Sequence, residues 1–161
     1  MNLSIIVPVY KDKGGLEILL EEVKNCFSKI DDNIELIVVD DGNEEAINFK
    51  NETFNFDLKI LKNEENKGYG YSIKRGVRES KNDILAIIDA DNSYKVKDLE
   101  KLSKIFKEKD MSMLVGKRVF KYRESTPRII FRKFLKQFSS FIFNYKIKNI
   151  NSGLRIFKKK D

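Results

Sequence analysis

Residues Ile84–Asp91 read ILAIIDAD. Five apolar residues in a row fit a short strand buried on both faces. Such strands belong to parallel sheets flanked by helices. The strand exits into Asp89-Ala90-Asp91, two carboxylates separated by one residue. In open parallel sheets, ligands bind beyond the carboxyl ends of the strands. The same grammar recurs upstream. Leu3–Val7 (LSIIV) is a strand stopped by Pro8 and followed by Tyr10 and Asp12, and Glu35–Val39 is a strand that exits into Asp40-Asp41-Gly42.

Working outward, Gly14 and Gly15 precede a helical pattern with Leu16, Leu19, Leu20, Val23 and Phe27 inward. Leu58–Leu61 reads as a third strand. Asn66-Lys-Gly68-Tyr-Gly70 leads into a helix near Tyr71–Glu79, with Gly68 serving either close approach to a ligand or turn geometry. A helix follows from about Val96 to Lys109, with Leu99, Leu102, Ile105 and Phe106 inward, then a strand over Met111–Val115. Thr126-Pro127 is a good helix start, a capping hydroxyl before proline at the first helical position. That helix runs to about Asn144, and Ile150–Phe157 offers one more strand. The fold class is α/β, a Rossmann-like, mostly parallel sheet with helices on both faces.

The chain has 161 residues, the length of a single domain able to bury a sizeable core. Apolar residues are 41% and charged residues 35%, which excludes a disordered chain. Histidine is absent, which removes Ser-His-Asp triads, histidine bases and histidine-ligated metals. Cys26 is the one cysteine, so an internal disulfide and a cysteine-cluster zinc site are excluded and a reducing compartment is expected. Any metal must sit on oxygen ligands. Apolar runs are far below the roughly 18 residues of a membrane span. The N-terminus reads directly as a strand without a basic leader, so the expected location is cytoplasmic.

Charge is unevenly spread. Residues 1–80 carry 11 basic and 16 acidic side chains, whereas residues 111–161 carry 14 basic and 2 acidic. The cationic last third suits plain solubility, an anionic membrane, nucleic acid or a phosphorylated ligand. Phe131, Phe134, Leu135, Phe138, Phe141 and Ile142 recur at helical spacing among Arg128, Arg132, Lys133 and Lys136. That helix fits either a membrane interface, with the protein peripheral on the inner face, or a core-facing helix with a solvated basic side. Aromatics at helical rather than strand spacing argue against a nucleic-acid stacking platform. Oligomeric state is left open, a homo-oligomer included.

Carboxylates clustered at one sheet edge repel unless a cation or a donor-rich ligand compensates. Two oxygen ligands one residue apart suit Mg²⁺ or Mn²⁺. Singly, Asp-x-Asp and Asp-Asp-Gly are ordinary turns or caps; it is their joint placement at strand ends that points to a site. An alcohol acceptor needs a base, and after residue 110 only Glu124 and Asp161 are acidic. A phosphate acceptor needs cations instead, and Lys117, Arg118, Arg123, Arg128, Arg132 and Lys133 supply them.

The run of features resembles the family 2 nucleotide-sugar glycosyltransferases of GT-A fold, and within these the polyprenyl-phosphate (dolichyl-phosphate) sugar synthases. The matching pieces are Ile5-Ile-Val-Pro-Val-Tyr10, Ile37-Val-Val-Asp-Asp-Gly42, Asn66-Lys-Gly-Tyr-Gly70, Ile87-Ile-Asp-Ala-Asp91, Val115-Gly-Lys-Arg118, Phe131-Arg-Lys133 and Ser152-Gly-Leu-Arg155. The resemblance implies transfer of a sugar, with inversion, from a nucleoside-diphosphate sugar to a polyprenyl phosphate. A family 2 transferase acting on a glycan hydroxyl and a non-catalytic nucleotide-sugar-binding module are the alternatives. Pro8, Tyr10 and Asp12 would line the nucleoside pocket, with Asp40, Asp41 and Gly68 completing the donor side. Asp89 and Asp91 would bind the cation. Arg118 and Arg132 would contact the acceptor phosphate or the donor pyrophosphate, and Ser152 and Arg155 would lie toward the acceptor. Residues 1–110 would form the donor half and residues 111–161 a partial acceptor half, truncated relative to the family. The chain departs from the family's pattern at Lys11-Asp12, usually Asn-Glu, at Ser93, often Gln, and at Asn149, usually acidic.

Overall fold

A computed structural model describes residues 1–27, 33–49, 53–117, 134, 137 and 152–160. The elements are β1 (Leu3–Val9), α1 (Lys13–Phe27), β2 (Ile34–Asp40), β3 (Asp57–Lys62), α2 (Tyr69–Glu79), β4 (Ile84–Ile87), α3 (Val96–Glu108), β5 (Met113–Val115) and β6 (Arg155–Lys158). They build one six-stranded sheet in the order β3-β2-β1-β4-β6-β5. The pairs β1–β2, β1–β4 and β2–β3 are parallel, and β6 runs antiparallel to both β4 and β5.

Both faces of the sheet are covered, which is why its strands read as near-continuous apolar runs. Leu3, Ile5, Val7 and Val9 pack with Leu16, Leu19, Leu20 and Val23 of α1 and with Leu99 and Phe106 of α3. On the opposite face, Ile6, Ile37, Val39, Leu61, Leu85 and Ile87 pack with Ile73 and Val77 of α2. Packing divides the chain into two units, Met1–Gly116 with Gly153–Asp161, and Lys117–Ser152. The sheet lies in the first. The expected helix from Thr126 lies outside the described residues except for Phe134 and Gln137, both helical and exposed.

Several local expectations change. β5 begins at Met113 rather than Met111, and β6 begins at Arg155, with residues 152–154 outside it. β1 does not stop at Pro8 but runs on to Val9. Ile6 O accepts from Ile88 N on the β4 side, and Pro8, two residues on, faces that same side. β4 has ended at Ile87, so the missing proline N–H interrupts no ladder. Gly14 and Gly15 lie inside the first turn of α1 rather than before it, because Asp12 caps the helix by accepting from Gly15 N (3.0 Å). Ile105 is 40% exposed rather than inward. At about 100° per residue it sits about 100° round the helix from Phe106, off the buried face.

Candidate functional site at the carboxyl edge of the sheet

The exits of β1, β2 and β4 meet. A Cβ placed on Gly15, in the first turn after β1, would lie 2.3 Å from Ala90 O and 2.7 Å from both Asp12 carboxylate oxygens. The loop carrying Asp89-Ala90-Asp91 is thus packed on the start of α1. Asn43 joins the exits of β1 and β2: its Nδ2 donates to Val9 O (3.2 Å) and to Asp40 Oδ1 (2.6 Å), and its Oδ1 accepts from Lys11 N (2.6 Å). Asp40 Oδ1 also accepts from Asn43 N (2.9 Å), while the buried Asp40 Oδ2 has no hydrogen-bond partner among the described residues. Pro8 is half-buried within β1. Tyr10 is exposed, with the Lys11 ammonium 5.2 Å from its ring centroid.

Asp41 is buried and fully engaged by its own chain. Its Oδ1 accepts from Asn63 Nδ2 (2.7 Å) and Lys67 N (2.9 Å), and its Oδ2 from Gly68 N (2.9 Å). Burial alone would raise its pKa. Hydrogen bonds from Lys67 N–H, Asn63, Ser72 and Gly68 N–H outweigh that and hold it below the usual carboxylate range. Asn63 in turn accepts from the Arg75 guanidinium, which also donates to Lys62 O (2.7 Å), so the amide is fixed with its N–H₂ toward Asp41. Gly68 has φ +88° with open space where a Cβ would stand. Its glycine therefore serves turn geometry and leaves its N–H on Asp41.

Asp89 is reached from α2 and from the segment before β6. The Tyr69 hydroxyl donates to Asp89 Oδ1 (2.8 Å). Partial burial and the Asp89 charge push the Tyr69 pKa well above that of an ordinary tyrosine, partly countered by the Arg155 charge, so the hydroxyl stays a donor. A Cβ on Gly153 would lie 1.7 Å from Asp89 Oδ2, which no side chain tolerates. Arg155 stands opposite Ile87 in the β4–β6 ladder, two residues before Asp89. Asp91 is exposed, its Oδ1 accepting from Ser93 N (2.9 Å) across the left-handed Asn92 (φ 55°).

The structure therefore brings together Pro8, Tyr10, Asp12, Asp40, Asp41, Gly68, Asp89, Asp91 and Arg155 along one edge. Ser152 is buried in the second unit. Arg118 and Arg132 lie outside the described residues. Asp89 and Asp91 are two hard oxygen donors on one loop, a donor chemistry that suits a divalent cation, and the missing side chain of Gly153 makes room for the Asp89 carboxylate itself.

Asn43, Asn63, Tyr69 and Gly153 carry the geometry; Tyr69 and Gly153 fall within quoted motifs but were given no role, and Asn43 and Asn63 were not singled out by sequence. Asn43 had a signal, three residues after Asp40 in a turn stretch where Asx bonds form. Asn63 had none, and the motif around Tyr69 did not reveal its partner, because the carboxylates they bind lie 22 and 20 residues away.

The family model for "Glycosyl transferase family 2" matches residues 4–160. The chain is 29% identical over 150 residues to a dolichyl-phosphate beta-glucosyltransferase of Mus musculus, covering 83% of this chain and 46% of that protein. It is 26% identical over 123 residues to a dolichol-phosphate mannosyltransferase of Pyrococcus furiosus, covering 75% and 34% respectively. It spans less than half the length of these curated relatives. Among solved structures, it superposes on glucosyl-3-phosphoglycerate synthase from Mycobacterium tuberculosis, solved with Mn²⁺, UDP-glucose and glycerol 3-phosphate. That match has a TM-score of 0.61 at 12% identity and covers 99% of this chain and 57% of that one. With a matching model over nearly its whole length and a sheet shared with such enzymes, the chain belongs to glycosyl transferase family 2 and has the GT-A fold, resembling the polyprenyl-phosphate sugar synthases.

Proposed function

We propose that this chain carries the donor end of an inverting glycosyltransferase that moves a hexose from a nucleoside-diphosphate sugar to a polyprenyl phosphate. The observation that carries the reading is the convergence of the β1, β2 and β4 exits, with Asp12, Asp40, Asp41 and Asp89 around one edge. Residues 1–110 form the donor half and residues 111–161 the start of the acceptor half. Pro8 and Tyr10 line the nucleoside pocket, and Asp12 fixes the start of α1 against Ala90. One buried Asp40 carboxylate oxygen has no donor among the described residues, which suits a water beside the nucleoside pocket. Asp41 shapes the Lys67–Gly68 loop beside it.

Asp89 and Asp91 are the residues that would hold Mg²⁺ or Mn²⁺; when bound, such an ion neutralises the donor pyrophosphate and the charge that grows on the leaving diphosphate. A phosphate oxygen of the acceptor attacks the anomeric carbon from the side opposite the leaving group. The new C–O bond forms as the bond to the diphosphate breaks, and the nucleoside diphosphate departs with the electron pair. The attacking oxygen is already anionic, so no base is required, in keeping with the sparse carboxylates after residue 110. Arg118, Arg132, Ser152 and Arg155 are the proposed phosphate contacts. No helix among the described residues is long and apolar enough to cross a membrane. The proposed setting is the cytoplasmic face of a membrane, where the lipid acceptor would be met.

Incubating the protein with Mn²⁺, radiolabelled UDP- and GDP-hexoses and either a short polyprenyl phosphate or an oligosaccharide tests the reading. Label is expected in a solvent-extractable lipid phosphate. It should disappear in Asp91→Ala, whose melting temperature stays that of the wild type because Asp91 is exposed. Label only in the oligosaccharide, or unimpaired transfer by Asp91→Ala, would overturn it.

A further inference from the structure

Tyr69 opens α2, yet its ring does not join the face that α2 buries, which is made by Ser72 and Gly76 with Ile73 and Val77 packed beside them. It is 52% exposed, a poor use of an aromatic ring for stability. Its flanking glycines, Gly68 and Gly70, have open space where side chains would stand. What the side chain does is reach across 20 residues of sequence to donate its hydroxyl to Asp89 Oδ1 at 2.8 Å. On the other side of the same carboxylate, Gly153 approaches so closely that a Cβ would sit 1.7 Å from Oδ2. The group is held from two directions by elements distant in the chain.

We infer that Tyr69 is a positioning residue for Asp89, its hydroxyl fixing the plane of the carboxylate that takes a divalent cation. A carboxylate presents about four acceptor directions, and the tyrosine hydroxyl takes one of them. Groups that orient a metal ligand this way typically account for about 10–100-fold in metal affinity. A half-exposed tyrosine belongs at the lower end of that range. The inference rests on the assignment of Asp89 and Asp91 as cation ligands, and the experiment separates the two.

The probe is MnCl₂ alone, titrated into the full chain and read from the loss of the aqueous Mn²⁺ signal by electron paramagnetic resonance. Wild type, Tyr69→Phe and Asp89→Asn are compared, with thermal melts alongside. Expected are one Mn²⁺ site in the wild type, its loss in Asp89→Asn, and about tenfold weaker binding in Tyr69→Phe at an unchanged melting temperature. Equal or tighter binding by Tyr69→Phe, with Asp89→Asn still abolishing the site, overturns the role of Tyr69 and leaves the cation site standing. Weaker binding with a drop of several degrees in melting temperature marks a merely structural role and also overturns it. No Mn²⁺ site in the wild type, or full binding by Asp89→Asn, overturns the cation site and the inference together.

Discussion

Asp41→Asn tests whether the second exit carboxylate is a structural clamp on its own loop. The side chain is buried and accepts from Asn63 Nδ2, Lys67 N and Gly68 N. An amide keeps one accepting oxygen and turns an N–H₂ toward a backbone N–H that needs an acceptor. With the amide oxygen kept on Asn63 and Lys67 N, the Gly68 N bond to a charged group is lost and the other two weaken to bonds with a neutral acceptor, for a net of about 3 kcal/mol. For a chain of this length that lowers the melting temperature by about 10 °C. Acid dependence gives a second signature. The folded pKa of Asp41 is depressed below its ordinary value of 3.8, against the opposing effect of burial. A depressed carboxyl stabilises the fold above the unfolded pKa, and that stability is lost as pH falls through the lower folded value. The wild type should therefore lose an increment of stability across this acid window that Asp41→Asn never had. Urea melts from pH 7 downward measure both effects. A variant within about 0.5 kcal/mol of wild type at pH 7, or one with the same acid slope, would refute the clamp.

Other substitutions probe the rest of the edge. Gly153→Ala drives a Cβ to 1.7 Å from Asp89 Oδ2 and should abolish Mn²⁺ binding while costing about 1–3 kcal/mol of stability, read by titration and melts. Asn43→Ala unties Val9 O, Lys11 N and Asp40 from one another, and should cost about 1–3 kcal/mol and weaken nucleotide-sugar binding measured by calorimetry. Ser4→Ala lies at the other end of the strands, where the hydroxyl donates to the buried Glu35 and accepts from Asn82 N. It should destabilise by about 1–2 kcal/mol yet leave nucleotide-sugar affinity unchanged.

The scaffold was legible because burial on both faces writes itself into the strands as unbroken apolar runs. The readings Ile84–Ile88, Glu35–Val39 and Leu3–Val7 stood out on that ground, and each falls on an observed strand. What sequence misjudged was local and depended on neighbours. Pro8 reads as a stop until the early end of β4 is known, and Ile105 reads as core until the centre of the buried face of α3 is fixed by Leu99 and Phe106. The acidic exits were visible one by one as turn-like motifs. Their convergence depends on strand order, which puts β1 between β2 and β4. The donors that hold them, Asn63 on Asp41 from the loop after β3 and Tyr69 on Asp89 from the start of α2, meet their carboxylates only through the tertiary fold. Gly153 was read within a motif, but the reason for its lack of a side chain is the carboxylate it touches.

The position of the bound divalent ion is decisive. Crystals grown with MnCl₂ and a nucleotide sugar, measured near the manganese absorption edge, locate that ion directly. An anomalous peak within bonding distance of Asp89 and Asp91, bridged to the diphosphate, is the predicted result. A peak on other side chains, or a sugar nucleotide bound away from this edge of the sheet, would contradict it.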